Sequence, residues 1–150
     1  MEYTKFKDRK TELGLLEGLY GEEKPKLVIL YGRRRVGKTE LLNEFAKRHK
    51  ALYLVARQES ERDQLRKISE EVSRFFGDEV PLLNPFRNYD SLFAYLAGRD
   101  VPIIFDEFPF LVQSNKALPS ILQEYWDKTF GKKRSFIVLC GSSIAMMESL

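Results

Sequence analysis

The stretch 27–45 constrains the fold of this chain more than any other part of the sequence. It contains Gly32, Gly37, Lys38 and Thr39 in the spacing Gly-x-x-x-x-Gly-Lys-Ser/Thr. An apolar run with β-branched residues precedes this pattern, and an amphipathic helical pattern follows it. The order of strand, glycine-containing loop and helix is the one that a phosphate-binding loop requires, and a chance glycine-rich turn would not explain both flanks.

The residue types in this loop suit the binding of nucleotide phosphates. Glycines let backbone N–H groups point inward beside a helix N-terminus, where they attract phosphate oxygens. Lys38 adds a full positive charge, and the Thr39 hydroxyl is predicted to coordinate Mg²⁺ beside the β- and γ-phosphates. The predicted phosphate-contacting residues are Gly32, Arg33, Arg34, Arg35, Val36, Gly37, Lys38, Thr39 and Glu40.

Composition places the chain among ordinary globular domains. It has 150 residues, of which 43% are hydrophobic and 31% charged, so we expect one domain over 1–150. A formal charge of +3 is compatible with polyanion binding without requiring it. The N-terminus lacks the apolar centre of a signal peptide, which favours a cytoplasmic protein without a membrane span. Cys140, the only cysteine, lies in an apolar run and is expected to be a buried structural thiol.

Hydrophobic spacing predicts an α/β protein with a mostly parallel sheet. Apolar runs predict four strands, at 27–31, 51–55, 101–105 and 135–140. Helical spacing predicts helices near 13–20, 38–50, 61–76, 90–97, 118–126 and from 142 onward, with Asp8 as a plausible N-cap of the first. The basic cluster at 47–50 suits a solvated helix C-terminus, and 132–134 is expected to be a solvated basic turn.

A pair of carboxylates follows the third predicted strand. Asp106 and Glu107 stand at its carboxyl end, and ligands of open α/β sheets bind outside the carboxyl ends of the strands. We therefore expect Asp106 to help hold hydrated Mg²⁺ and Glu107 to act as general base on the attacking water. A purely structural pair remains the alternative for these residues taken alone.

Two serines follow the fourth predicted strand. A hydroxyl at this position could reach the attacking water or the γ-phosphate, which is the task of a sensor residue. We favour Ser142 for this role, with Ser143 as the competing choice. Capping of the following helix is the structural alternative.

Three segments together resemble the archaeal ATPase family, a branch of the AAA+-related, STAND-like P-loop ATPases. They are Tyr-Gly-Arg-Arg-Arg-Val-Gly-Lys-Thr-Glu-Leu-Leu from position 31, Phe-Asp-Glu-Phe-Pro-Phe-Leu from 105 and Leu-Cys-Gly-Ser-Ser-Ile-Ala-Met-Met-Glu from 139. The opening Phe-Lys-Asp-Arg-Lys-Thr-Glu-Leu from position 6 also looks like the entry segment of the family. The resemblance covers nearly the whole chain.

The resemblance implies a three-layer P-loop NTPase core with strand order 5-1-4-3-2. It places the phosphate loop, Asp106, Glu107 and a serine around the γ-phosphate, and it places Phe6, Lys7, Asp8 and Arg9 near the base. Because only four strands are predicted, we expect an N-terminal fragment that lacks the fifth strand and the helical lid. The strand 27–31 would then be a bare sheet edge, which suggests a homodimer through that edge.

The favoured function is Mg-ATP binding and hydrolysis, coupled to C-terminal segments that family members often carry and that suggest DNA-linked roles. A slow nucleotide-binding switch is the runner-up, since no arginine finger can be identified: Arg33, Arg34, Arg35 and Arg57 are candidates only by charge. A small-molecule kinase is disfavoured because a glutamate beside the aspartate suits water activation. DNA binding by this segment itself would rest only on the basic residues of 33–35 and 132–134.

Overall fold

The computed structural model of this protein describes residues 4–7, 12–31, 38–142 and 144–150. The strands are β1 (Thr4–Lys7), β2 (Lys26–Tyr31), β3 (Leu52–Val55), β4 (Ile103–Asp106) and β5 (Phe136–Gly141). The helices are α1 (Glu12–Gly21), α2 (Lys38–His49), α3 (Glu61–Phe76), α4 (Val80–Leu83), α5 (Tyr89–Ala97), α6 (Phe108–Ser114), α7 (Leu118–Lys128) and α8 (Ile144–Glu148). A 3₁₀ turn spans Phe130–Lys132.

All five strands form one parallel sheet in the order β1-β2-β5-β4-β3. The four strands predicted from apolar runs are all present, with bounds that differ by one or two residues. Their relative order is the one that the family resemblance implies. The α/β class and the parallel sheet are therefore confirmed.

The edge of the strand that precedes the phosphate loop is covered, not bare. β1 pairs in parallel with β2, in a register that sets Thr4 opposite Val28 and Lys7 opposite Tyr31. β1 thus occupies the position that we expected to be empty, and the expectation of a bare edge is wrong. A dimer through that edge of β2 loses its basis, because backbone hydrogen bonds to β1 already use it. The four residues of β1 are too few and too polar to show an apolar strand pattern.

Two hydrophobic clusters lie on opposite faces of the sheet and create the three layers. Alternation along β2 sends Leu27 and Ile29 to one cluster and Val28 and Leu30 to the other. The first cluster packs the sheet against helices α3, α5, α6, α7 and α8, and the second packs it against α1 and α2. α2, which begins where the phosphate motif ends, is therefore fixed to the sheet through buried Leu42 and Phe45.

Local signals set the ends of the longest helix. The Ser60 side chain accepts a hydrogen bond from the Asp63 N–H and begins α3, and Gly77 ends it with a left-handed φ of 63°. These bounds are the ones that the sequence predicts. Two short helices were not predicted: α4 lies between the predicted helices 61–76 and 90–97, and α6 follows Glu107, with Pro109 in its first turn. Among the helices that the structure describes, none is both long and apolar enough to cross a membrane.

Candidate functional site

The candidate site lies where the carboxyl ends of β2, β5 and β4 meet. β2 ends at Tyr31 and α2 begins at Lys38. The Lys38 Nζ donates a hydrogen bond of 3.3 Å to the backbone carbonyl oxygen of Gly141, the last residue of β5. This contact spans 103 positions of sequence and places the lysine ammonium at the carboxyl end of the central strand.

Several predicted site residues fall outside the described part of the chain. These are Gly32, Arg33, Arg34, Arg35, Val36, Gly37, Asp8, Arg9 and Ser143. Phe6 and Lys7 belong to β1, whose backbone alone is described. Lys38, Thr39 and Glu40 form the first turn of α2, where Lys38 is half-buried and the other two are exposed. The Thr39 side chain is therefore accessible to a ligand at the helix N-terminus.

Asp106 is the last residue of β4, and its carboxylate is held at both oxygens. The side chain of Asp106 is only 7% exposed. Its Oδ1 accepts a hydrogen bond of 2.9 Å from the Glu107 N–H, and its Oδ2 accepts one of 2.7 Å from the Tyr53 hydroxyl. Sequence analysis missed Tyr53. The available signal was a tyrosine within an apolar strand, since a half-buried phenol hydroxyl usually requires a partner.

Glu107 occupies a sharp turn between β4 and α6. Its backbone is left-handed, with φ 55° and ψ 40°, which is an uncommon conformation for a residue with a side chain. The Ser142 hydroxyl lies 3.5 Å from Glu107 Oε1 and 3.4 Å from Oε2. The structure thus brings together two residues that the sequence assigned to one site, although each follows a different strand.

Burial and charge keep the neighbours of Asp106 protonated. Burial raises the pKa of the Tyr53 hydroxyl, and the Asp106 carboxylate raises that pKa further. Cys140 is fully buried, as predicted. Burial also raises the pKa of the Cys140 thiol, Asp106 adds to this effect, and the Lys38 ammonium opposes it. Tyr53 and Cys140 are therefore both protonated at neutral pH.

Gly141 has no side chain, which allows β5, α6 and α8 to pack close together. A Cβ atom at this position would lie 2.6 Å from Pro109 Cδ and 2.9 Å from Met147 Sδ. Because no real Cβ tolerates such distances to a proline ring, a larger residue here would displace α6 or the strand end. The glycine therefore allows the close approach of β5 to Pro109 of α6 and to Met147 of α8.

The donor set fits a hydrated magnesium ion. The carboxylate of Asp106 and the hydroxyl of Thr39 are hard oxygen ligands, which Mg²⁺ prefers. A carboxylate has about four acceptor positions, of which the Tyr53 hydroxyl and the Glu107 N–H use two. Within the described ranges, no three His, Cys, Asp or Glu side chains cluster as metal ligands. This is compatible with Mg²⁺, which proteins typically bind with one or two protein ligands, water and nucleotide phosphates.

Two basic residues of the 132–134 turn lie away from this site. Lys133 donates to the carbonyl oxygens of Ala97 and Arg99, and Arg134 pairs with Glu23 at 3.2 Å. These residues precede β5 and lie at the end of the strand opposite Ser142. Arg57 follows β3, where its carbonyl oxygen accepts a hydrogen bond from Gln64.

Comparison with known proteins agrees with this fold. The chain is 20% identical to the Walker-type ATPase paby2304 of Pyrococcus abyssi, with a TM-score of 0.63, covering 95% of this chain and 47% of that one. It is also 20% identical to Cdc6p from Pyrobaculum aerophilum, with a TM-score of 0.60, covering 95% of this chain and 41% of that one. The parallel sheet, its layers and these neighbours define a three-layer α/β fold shared with these two proteins.

The family is also shown. Residues 6–150 match the family described as an ATPase domain predominantly from Archaea, and the chain belongs to that family. The resemblance found in the sequence motifs is thereby confirmed.

Two proteins from Methanocaldococcus jannaschii are similar to this chain, one over most of its length and one over a shorter part. The uncharacterized protein MJECL04 is 30% identical over 142 residues, which are 95% of this chain and 30% of that protein. The uncharacterized ATP-binding protein MJ0423 is 53% identical over 45 residues, which are 30% of this chain and 76% of that protein. The chain thus spans under a third of MJECL04 and under half of the two solved structures.

Proposed function

We propose that this domain binds Mg-ATP and hydrolyses it. One observation carries the proposal: four candidate residues meet at one edge of the sheet. Asp106 and Glu107 lie at the carboxyl end of β4, Ser142 follows β5, and Lys38 begins the helix that follows β2. Nucleotides bind at this edge of open α/β sheets. The phosphate motif 32–39, read from the sequence, supplies backbone and lysine contacts at the same edge.

Each residue has a proposed role that its surroundings support. Lys38 binds the β- and γ-phosphates, and its ammonium already lies beside the end of β5. Thr39 and Asp106 would hold Mg²⁺, which would offset charge that develops on the phosphates. Asp106 suits this role because it is ordered by two hydrogen bonds, and because its carboxylate and the Lys38 ammonium both lie close enough to Cys140 to affect its pKa.

Glu107 is the proposed general base. Its carboxylate takes a proton from the attacking water, which then adds to the γ-phosphorus as ADP leaves. Ser142 orients this carboxylate or the water, since its hydroxyl lies within 3.5 Å of both Glu107 oxygens. In the wider proposal, Phe6 and Arg9 contact the base, and Arg33, Arg34, Arg35, Val36 and Glu40 line the phosphate side.

Several proteins that match this chain extend well beyond the matched part. We propose that in such longer proteins the nucleotide state controls the position of the further segments, with DNA as one target of those segments. The basic turn at 132–134 is not proposed as a DNA site, because Lys133 and Arg134 are already paired with Asp100 and Glu23.

The proposed function is tested by Lys38→Ala, with Lys47→Ala as the control. Both lysines are on α2, but Lys47 is exposed in the last turn. Calorimetry should show that Lys38→Ala weakens Mg-ATP binding about 100-fold, since it removes a charged hydrogen-bond donor to phosphate. Lys47→Ala should bind as the unaltered chain does. Tight, magnesium-dependent ATP binding by Lys38→Ala would contradict the proposed site.

Measurement of phosphate release distinguishes a hydrolysing ATPase from a slow nucleotide-binding switch. The proposal expects multiple turnovers of ATP by the chain at saturating Mg²⁺. Binding of Mg-ATP with less than one turnover over hours would instead favour the slow switch.

A further inference from the structure

We infer that Tyr53 is a positioning residue for the magnesium-binding carboxylate of Asp106. This inference rests on the proposed function and extends it to β3, a strand to which no site residue was assigned. The hydroxyl of Tyr53 donates a hydrogen bond of 2.7 Å to Asp106 Oδ2, across 53 positions of sequence.

Sheet register explains how Tyr53 reaches the site. β3 lies beside β4 in parallel, with Tyr53 opposite Ile104 and Val55 opposite Asp106. Since alternate side chains of a strand share a face, Tyr53, Ile104 and Asp106 all lie on the α2 side of the sheet. The long phenol side chain of Tyr53 spans the diagonal of two residues and ends at the carboxylate.

The bond has a single direction. The Tyr53 hydroxyl donates and Asp106 Oδ2 accepts. The other carboxylate oxygen, Oδ1, is held by the Glu107 N–H at 2.9 Å. A donor from β3 and a donor from the turn after β4 therefore set the plane of the Asp106 carboxylate, a group whose terminal torsion is otherwise broad.

Orientation of this carboxylate matters for a hydrated cation. A magnesium ion requires near-octahedral geometry, and it usually keeps waters that must face the protein oxygens correctly. Loss of the Tyr53 donor would leave Asp106 Oδ2 without the hydrogen bond that it accepts from β3. Removal of an outer hydrogen bond of this kind typically lowers metal affinity or activity by about 10- to 100-fold.

The structure offers a matched control for the test. Tyr95 also donates a hydrogen bond of 2.7 Å to an aspartate, Asp78 Oδ2, but this pair joins α5 to the end of α3, outside the candidate site. Tyr53→Phe and Tyr95→Phe therefore remove the same atom from the same kind of bond. Only the first change touches the proposed magnesium site.

Binding of a non-hydrolysable ATP analogue, measured by calorimetry across a magnesium titration, tests the inference. Tyr53→Phe should raise the magnesium concentration for half-maximal enhancement of binding about tenfold and leave binding in EDTA unchanged. In a parallel assay of phosphate release, kcat should fall while KM for ATP at saturating magnesium stays near its original value. Tyr95→Phe should match the unaltered chain in both assays.

The outcomes separate this inference from the proposed function. If the unaltered chain binds the analogue with magnesium dependence and Tyr53→Phe shows the same dependence, the inference is wrong and the proposed function stands. If Tyr53→Phe loses binding in EDTA as well, its effect is structural and the inference is also wrong. If the unaltered chain shows no magnesium-dependent binding, both fail.

Discussion

The Ser142 hydroxyl lies 3.4 Å from Glu107 Oε2 and 3.5 Å from Oε1, although the two residues are 35 positions apart. β4 and β5 are adjacent and parallel, so the residues that follow them meet at one edge of the sheet. This contact joins the proposed general base to the proposed sensor residue, and both can be tested by single substitutions.

Glu107→Gln should retain nucleotide binding and lose hydrolysis. Glutamine keeps the size of the side chain but cannot accept the proton of the attacking water, so phosphate release should fall about 100-fold or more. The measurement is phosphate release at saturating Mg-ATP together with affinity by calorimetry. Glu124→Gln, an exposed change on α7, is the control. Unchanged turnover in Glu107→Gln would refute the assignment of the base.

Ser142→Ala should slow hydrolysis about tenfold while nucleotide affinity stays unchanged, because a hydrogen bond to a charged group is lost only at the reacting end of the site. Rates of phosphate release measure this effect. Ser149→Ala is the matched control, since the exposed Ser149 hydroxyl bonds only to the Met146 carbonyl oxygen in the described contacts. A rate equal to that of the unaltered chain would leave Ser142 with the helix-capping role that was its alternative.

Gly141→Ala should destabilise the fold by about 1 to 3 kcal/mol, the usual cost of an overpacked site. The added methyl group would meet the Pro109 ring at 2.6 Å, and the ring cannot turn away as a flexible side chain could. Urea unfolding followed by circular dichroism gives the free energy. Gly18→Ala is the control, because this exposed position on α1 has nothing within 4 Å of the added methyl group. It should stabilise α1 by up to about 1 kcal/mol.

Tyr89→Phe should raise stability at pH 7 by about 1 kcal/mol. The Tyr89 hydroxyl is fully buried and has no hydrogen-bond partner among the described residues, so its removal relieves an unpaired polar group. Urea unfolding measures the change. Tyr95→Phe, which loses its bond to Asp78, should instead lower stability. A loss of stability in Tyr89→Phe would contradict the claim that the Tyr89 hydroxyl has no hydrogen-bond partner among the described residues.

Tyr89 should also make the free energy of unfolding depend on pH in the alkaline range. Burial raises the pKa of Tyr89 above its ordinary value of 10.0, and the Glu61 carboxylate raises it further. Above pH 10 the unfolded chain loses this proton while the folded chain keeps it, so the free energy of unfolding falls as pH rises. The contribution of one group is at most about 1.4 kcal/mol per pH unit. Tyr89→Phe should reduce this slope in unfolding experiments between pH 10 and 11.

Local chemistry made much of the fold predictable. The strand and helix that flank the phosphate motif follow from a short apolar run and a helical period. The bounds of α3 follow from Ser60 and Gly77, whose effects act within a few residues. α6 was missed because a seven-residue apolar helix has too few turns to show its period.

The sequence by itself therefore determined the class of fold, the phosphate motif and the residue types placed at strand ends. Tertiary structure decided the contacts between distant segments: β1 beside β2, Ser142 beside Glu107, and Tyr53 on Asp106. The physical reason is the separation in sequence over which each kind of interaction acts. Turns, caps and hydrophobic periods depend on near neighbours, whereas strand order and register decide which side chains from separate strands share one face of the sheet.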